Sequence, residues 1–327
     1  MMMTEQQIEE QAQKLGISKA AVRRISDWTD ERSKSDILAV LPNAKTVIAA
    51  CLSYRDDRHG NIPAYTRVNY YRVLSKMLHK LGKWIKHSAG DIRSDADVFR
   101  TSVNSILNDK IIAAECGLGN FADNHLIAVD GVGSMTVLGT LIIDEECEIT
   151  KPLSQLCDEK SVLCNHCGVC FASCPTGALT PTGVDKQRCL QHNSSVLDFN
   201  TDLIPFWGTR FFGCSVCTDV CPINDNAQLC SSNQESLTGY IGCAFDMAQL
   251  WHFRKGDYKA HFRANQLAAT WMEEIIHPRN ILTSLHNAGH DDDVARYAAD
   301  IDNYGWDEDE KSYLLHWCRI LLNKEYI

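Results

Sequence analysis

Two cysteine runs constrain this chain more than any other feature. Residues 163–179 read LCNHCGVCFASCPTGAL, which places Cys164-x2-Cys167-x2-Cys170-x3-Cys174-Pro175 in one stretch. A shorter version follows at Cys214-x2-Cys217-x3-Cys221-Pro222, and Cys189 stands between the two in KQRCLQH. Cysteines this close together have too little slack to act as ordinary core residues. Two-residue gaps let one short loop present thiolates at separate corners of a cubane cluster without strain. The proline then fixes the chain direction and removes a backbone donor.

In the bacterial two-cluster ferredoxin run the fourth cysteine ligates the other cluster. By that rule Cys164, Cys167, Cys170 and Cys221 hold a first [4Fe–4S] cluster, and Cys174, Cys189, Cys214 and Cys217 hold a second. Structural zinc also uses C-x2-C pairs and is the competing reading. It does not readily explain two runs that each end in Cys-Pro. Disulfides are the third reading. They suit small secreted chains, whereas this one has 327 residues and begins MMMTEQQIEEQAQKLGIS, polar and acidic, unlike a signal or transit peptide. The other seven of the fifteen cysteines, Cys51, Cys116, Cys147, Cys157, Cys230, Cys243 and Cys318, read as buried small hydrophobes.

No run approaches the roughly 20 apolar residues of a membrane span, so a cytoplasmic protein without a membrane partner is expected. The net charge of -10 argues against nucleic acid in general and tRNA in particular, because phosphate neutralisation needs clustered Lys and Arg. Lys76, Lys80, Lys83 and Lys86 recur at helical spacing and read as a solvated helix face.

Residues 1–42 read as helical, with Ser18 capping AAVRRISDWTDE and Pro42 ending the segment. TVIAACLSY (46–54) is a β-branched apolar run, hence a buried strand. YYRVLSKMLHKLGKWIKH (70–87) has the three- and four-residue steps of an amphipathic helix. SVNSILNDKIIAAECGLG (102–119) reads as another helix, ended by Gly117 and Gly119. HLIAVDGVGSMTVLGTLIID (125–144) reads as two strands around a turn at Asp130-Gly131-Val132-Gly133. Beyond residue 235, QLWHFRKGDYKAHFR, PRNILTSLHNAG and DEKSYLLHWCRILLN read as packed helices.

Two clusters imply one-electron chemistry. A two-cluster ferredoxin needs only about 60 residues, well below a typical domain, so the rest of the chain must receive or direct the electrons. The order of features resembles the epoxyqueuosine reductase family, which is related to the catalytic cores of corrinoid reductive dehalogenases. The resemblance rests on IPAYTRVNYYRVLSKML (62–78), AAECGLGNFADNHLI (113–127), VLGTLIID (137–144), the eight cysteines with Cys189 in the isolated position, and DYKAHF and PRNILTSLHNAG in the tail.

It implies an α+β protein in three parts. A mixed α/β cobalamin-binding-type domain spans 1–155, a two-[4Fe–4S] ferredoxin-like domain 156–232, and an α-helical HEAT-like region 233–327. It also implies a bound cobalamin beside the second cluster, near Gly117, Gly119 and Gln191, and electrons supplied by a ferredoxin or flavodoxin. An alternative is an electron-transfer protein that reduces the corrinoid of a partner protein. The family's Asp-Thr-x-Pro-like segment, whose Asp is the proton donor, aligns here with Val103-Asn104-Ser105-Ile106. The departure predicts a substrate other than epoxyqueuosine. Asp97 and Asp109 are the nearby carboxyls, and Ser102, Asn104 and Ser105 share the neighbourhood.

Overall fold

Thr46–Ser53 is buried at every residue, as its unbroken apolar run requires of a strand covered on both faces. The computed structural model describes residues 2–149, 163–230 and 234–323. Cys157 and the expected boundaries at 155/156 and 232/233 lie outside the described residues. The chain divides into two units that each draw on three separate segments. The first comprises 1–56, 70–169 and 220–236; the second comprises 57–69, 170–219 and 237–327.

The first unit is built on a four-stranded sheet of β1 (Lys19–Arg24), β2 (Thr46–Ser53), β3 (Phe99–Ser102) and β4 (Thr136–Ile143). The spatial order is β1-β2-β4-β3, with every pairing antiparallel. The register sets Ala49 opposite Thr140 and Ala50 opposite Gly139. Because side chains alternate along a strand, Val47, Ala49 and Cys51 share one face. There they pack with Ile37 and Leu41, and with Ile112 and Ala113 of helix Asp109–Glu115. On the other face Gly139 lies against Leu74 and Leu78 of helix Tyr70–Ser88, and a Cβ there would stand 2.7 Å from Val103 Cγ2. The expected strand at 46–54 and helix at 70–87 are both present.

Two expectations change. AAVRRISDWTDE is not a helix: Lys19–Arg24 forms β1 and pairs with β2 from Lys19↔Cys51 to Arg24↔Thr46. Alanine and arginine favour a helix locally, but ladder pairing against a buried strand outweighs that preference. Ser18 does not cap a helix either; its Oγ accepts from the Ser53 N–H at 2.9 Å. The helix expected over 102–119 is confined to Asp109–Glu115. Asn104 takes a left-handed φ of 47°, and Asn108 caps the helix by accepting from the Ile111 N–H. The helix ends at Gly117, whose φ of +72° suits a residue without Cβ. The strands expected within 125–144 are present as Ile127–Ala128 and β4. The first pairs with Asn120–Phe121 and the second enters the main sheet.

The second unit buries a core rich in aromatic side chains, among them Trp207, Phe211, Phe212, Tyr258, Phe262, Tyr297 and Trp317. It joins the cysteine segment to helices Ile276–Asn287, Asp291–Ala299 and Glu308–Leu322. The buried indoles find partners, as they must: Trp207 donates to Ser284 Oγ and Trp317 to Thr283 Oγ1, each at 3.0 Å. Segment 57–69 is tied into the same unit. Asn61 and Phe245 exchange two bonds at 2.7 and 2.9 Å, and Asn265 donates to the Thr66 carbonyl at 2.9 Å. Among the described residues, no helix is long and apolar enough to cross a membrane.

Candidate metal centre

Cys174, Cys189, Cys214 and Cys217 all belong to the second unit, and none is in a disulfide. Cys174 follows the short helix Val169–Ala172, Cys189 caps the one-turn helix Leu190–Asn193, and Cys217 lies in Val216–Asp219. Cys214 follows Gly213, whose φ is +66°. A Cβ on Gly213 would stand 1.7 Å from Tyr65 Oη and 2.6 Å from Gln191 Oε1, so only glycine turns the chain here.

The thiols sense one another. Burial, followed by Cys214, Cys189, Cys174 and Cys170, pushes the Cys217 thiol up to about 12. Burial raises Cys214 as well, and Cys189 and Cys174 add to it. Cys174 differs. Burial raises it, but N–H groups of Leu179, Thr176 and Ala178 outweigh burial and hold the thiol below its ordinary range. Four crowded thiols cannot all ionise unless a cation neutralises them, and a coordinated thiol is deprotonated outright. N–H groups aimed at one of the four are what cluster sulfurs use to set a potential. This donor set therefore fits an iron–sulfur cluster.

Cys164, Cys167 and Cys221 belong to the first unit, while Cys170, three residues along the run, opens the middle segment of the second. Left-handed His166 (φ 55°) and Gly168 (φ 69°) curl the loop around Cys167. Burial raises the Cys221 thiol, and Cys164 and Cys167 add to it against an N–H bond from Ile223. The His166 ring is largely exposed, yet its Nδ1 lies 2.7 Å from Asp123 Oδ1. The Asp123 N–H in turn points at Cys164 Sγ at 3.5 Å. The donor atoms of Asp123, Cys164 and His166 all lie within 4.8 Å of one another. Sequence spacing gives no hint of Asp123, which is separated from His166 by 43 residues.

Of the remaining cysteines, Cys51, Cys116, Cys147 and Cys318 are buried. Burial pushes their thiols up to about 12, 12, 11 and 12 respectively, so they remain neutral packing groups.

Gln191 lies in the second unit, where its Oε1 accepts from the Tyr65 hydroxyl and, at 3.4 Å, from the Cys214 N–H. Tyr65 thus reaches the second cysteine set. Gly117 and Gly119 lie in the first unit, and both are accounted for by the backbone: Gly117 ends a helix, and a Cβ on Gly119 would stand 2.2 Å from the Ala128 carbonyl. Asp109 opens its helix, accepting from the Asn104 N–H at 2.7 Å and from Thr140 Oγ1 at 3.1 Å. Burial outweighs those two bonds and raises its carboxyl to about 6. Tyr71 senses it: burial raises the phenol and Asp109 adds to that. Ser102 and Ser105 join their hydroxyls at 2.8 Å in the same loop.

A family model for a 4Fe-4S double cluster binding domain matches residues 163–224, which contain all eight cysteines. Over 208 residues the chain is 30% identical to the epoxyqueuosine reductase of Synechococcus sp. (strain RCC307), covering 61% of each chain. It is 30% identical to that of Escherichia coli (strain K12) over 206 residues, 58% of this chain and 51% of the relative. It is also 30% identical to that of Bacillus subtilis (strain 168) over 200 residues, 57% of this chain and 49% of the relative. The chain thus spans about half to three-fifths of the length of these curated relatives. Two solved structures share the fold. The epoxyqueuosine reductase of Streptococcus thermophilus matches with a TM-score of 0.73 at 20% identity, over 98% of this chain and 90% of that one. An epoxyqueuosine reductase crystallised with an epoxyqueuosine-modified tRNA-Tyr stem loop matches with a TM-score of 0.71 at 20% identity, over 97% and 98%.

Proposed function

We infer, because this chain belongs to the epoxyqueuosine reductase family, that it is an iron–sulfur reductase working through two [4Fe–4S] clusters. Cys164, Cys167, Cys170 and Cys221 hold one, and Cys174, Cys189, Cys214 and Cys217 hold the other. The observation that carries this reading is the second set. Four free thiols share one unit, burial and neighbouring thiols raise Cys214 and Cys217, and Cys174 accepts three backbone N–H bonds.

We propose cobalamin as the acceptor of these electrons. When bound, it supplies low-valent cobalt as the reductant. Gln191 is the residue that suits this role, since it is fixed by Tyr65 and by the N–H of a cluster cysteine. Gly117 and Gly119 are each required by the backbone. A ferredoxin or flavodoxin is the proposed donor.

The proposed substrate is not epoxyqueuosine. The loop Val103-Asn104-Ser105-Ile106 offers no carboxyl, and the group nearest to the task is Asp109. Raised to about 6, it keeps its proton to a higher pH than an exposed carboxyl does, which suits a general acid working just below neutral pH. The acidic balance alone does not decide against tRNA, because a protein of matching fold was crystallised with a tRNA stem loop. Epoxyqueuosine-modified tRNA therefore belongs among the substrates assayed.

Anaerobic reconstitution tests the reading. We expect about eight iron atoms per chain, an EPR signal on reduction, and a base-off cob(II)alamin spectrum when cobalamin is added. Bound zinc, or fewer than about eight irons, overturns the cluster assignment. Intact clusters with no cobalamin spectrum overturn the acceptor. Turnover of epoxyqueuosine-modified tRNA overturns the substrate reading alone.

A further inference from the structure

Arg279 is fully buried, at 0% exposure, in helix Ile276–Asn287. Among the described residues, the groups bonded to it are neutral. Nη2 donates to the Asn193 carbonyl at 2.9 Å and to Asn280 Oδ1 at 2.7 Å. Nη1 donates to the Val196 carbonyl. The rings of Phe199 and Trp317 lie 4.9 and 6.0 Å from the guanidinium carbon. A buried cation served only by dipoles and rings is costly unless a negative group shares its surroundings.

The carbonyls it holds belong to the segment that follows Cys189. Asn193 closes the one-turn helix that Cys189 opens. Its side-chain amide donates back to the Cys189 carbonyl at 3.0 Å and to those of Lys186 and Gln187 at 3.2 Å. Asn280, beside Arg279, donates to the Ser194 carbonyl at 3.0 Å. The Ser194 hydroxyl in turn donates to the Gln191 carbonyl at 2.7 Å. One continuous polar network thus runs from helix Ile276–Asn287 to Cys189 and Gln191, all within the second unit.

We propose that Arg279 is a positioning residue for the second cluster, fixing the Cys189 turn with its planar fork and placing a permanent positive charge about one helical turn from that ligand. The proposal rests on the reading of Cys174, Cys189, Cys214 and Cys217 as cluster ligands. A thiolate-bound cluster gains one negative charge when it takes an electron from its donor. A fixed cation nearby favours that reduced state and raises the potential. One turn plus a hydrogen bond puts the charge on the order of 10 Å away. Across an effective dielectric of about 20, a unit charge at that range changes a one-electron equilibrium about tenfold.

The test is a redox titration of the anaerobically reconstituted full-length chain, followed by EPR. Arg279→Gln removes both charge and fork. One of the two reduction steps should fall by about 59 mV, the equivalent of tenfold at one electron, while the other holds. Arg279→Lys keeps the charge but loses the fork. It should leave that potential nearly in place and alter the EPR line shape of the same cluster, and it carries the test if the glutamine variant does not accumulate. Unmoved potentials with wild-type iron content, or equal movement of both steps, overturn the charge role. An unchanged line shape in the lysine variant overturns the positioning role. A wild-type chain without two clusters overturns the underlying reading, an outcome visible before any variant is made.

Discussion

Replacing Asp109 with asparagine probes the carboxyl assigned here to proton delivery. In the folded chain burial raises its pKa from 3.8 to about 6. Between those values the folded state keeps a proton that the unfolded state has lost, so stability falls as pH rises through this window. At 1.36 kcal/mol per pKa unit, the full penalty is about 3 kcal/mol above pH 7. About half of it is already present at pH 5, leaving a change of about 1.4 kcal/mol between pH 5 and pH 8. Asparagine carries no charge at either pH. It can accept from the Asn104 N–H or from Thr140, and losing the other bond costs about 1 kcal/mol at both. The variant should therefore gain on wild type by about 1.4 kcal/mol between pH 5 and pH 8. Urea unfolding of the two reconstituted proteins, followed by tryptophan fluorescence at both pH values, measures this double difference. Groups that titrate identically in the two proteins cancel. An equal gap at pH 5 and pH 8 refutes the reasoning, because it means that Asp109 ionises like an exposed carboxyl.

Three further substitutions follow from the geometry. Cys217→Ser should leave about four irons per chain instead of about eight, counted by iron and sulfide analysis after anaerobic reconstitution. Gly213→Ala forces a Cβ onto Tyr65 and Gln191 at a φ of +66°. It should lower stability by about 1–3 kcal/mol and, where Tyr65 is displaced, disturb the EPR spectrum of the second cluster. Gly119→Ala meets the Ala128 carbonyl instead. It should lower the melting temperature at a similar cost of about 1–3 kcal/mol while leaving both cluster spectra unchanged.

What the sequence makes legible follows from how local each cause is. Thr46–Ser53 and Tyr70–Ser88 announce themselves because their burial pattern is periodic or continuous along the chain. Lys19–Arg24 does not, since its residues favour a helix and only the ladder with β2 makes it a strand. The helix over 102–119 is overextended for a related reason: the left-handed turn at Asn104 and the cap at Asn108 lie inside an apparently helical pattern. The cysteine spacing is legible as cluster chemistry because the ligand loop is short. The groups around it are not, because they come from elsewhere in the chain. Tyr65 meets Gln191 across 126 residues, and Arg279 meets Asn193 across 86. Neither has a spacing to read.

The chain passes from one unit to the other after residues 56, 69, 169, 219 and 236, and this order matters during synthesis. Neither half can be completed from an early stretch alone: the first awaits 220–236, and the second gathers most of its aromatic interior from the tail. A nascent polypeptide that has just exposed LCNHCGVCFASCP therefore presents thiols before their remaining partners exist. Under the proposed cluster assignment iron loading belongs late in biogenesis, and a premature stop before Cys221 would release a product whose first ligand set lacks its last member.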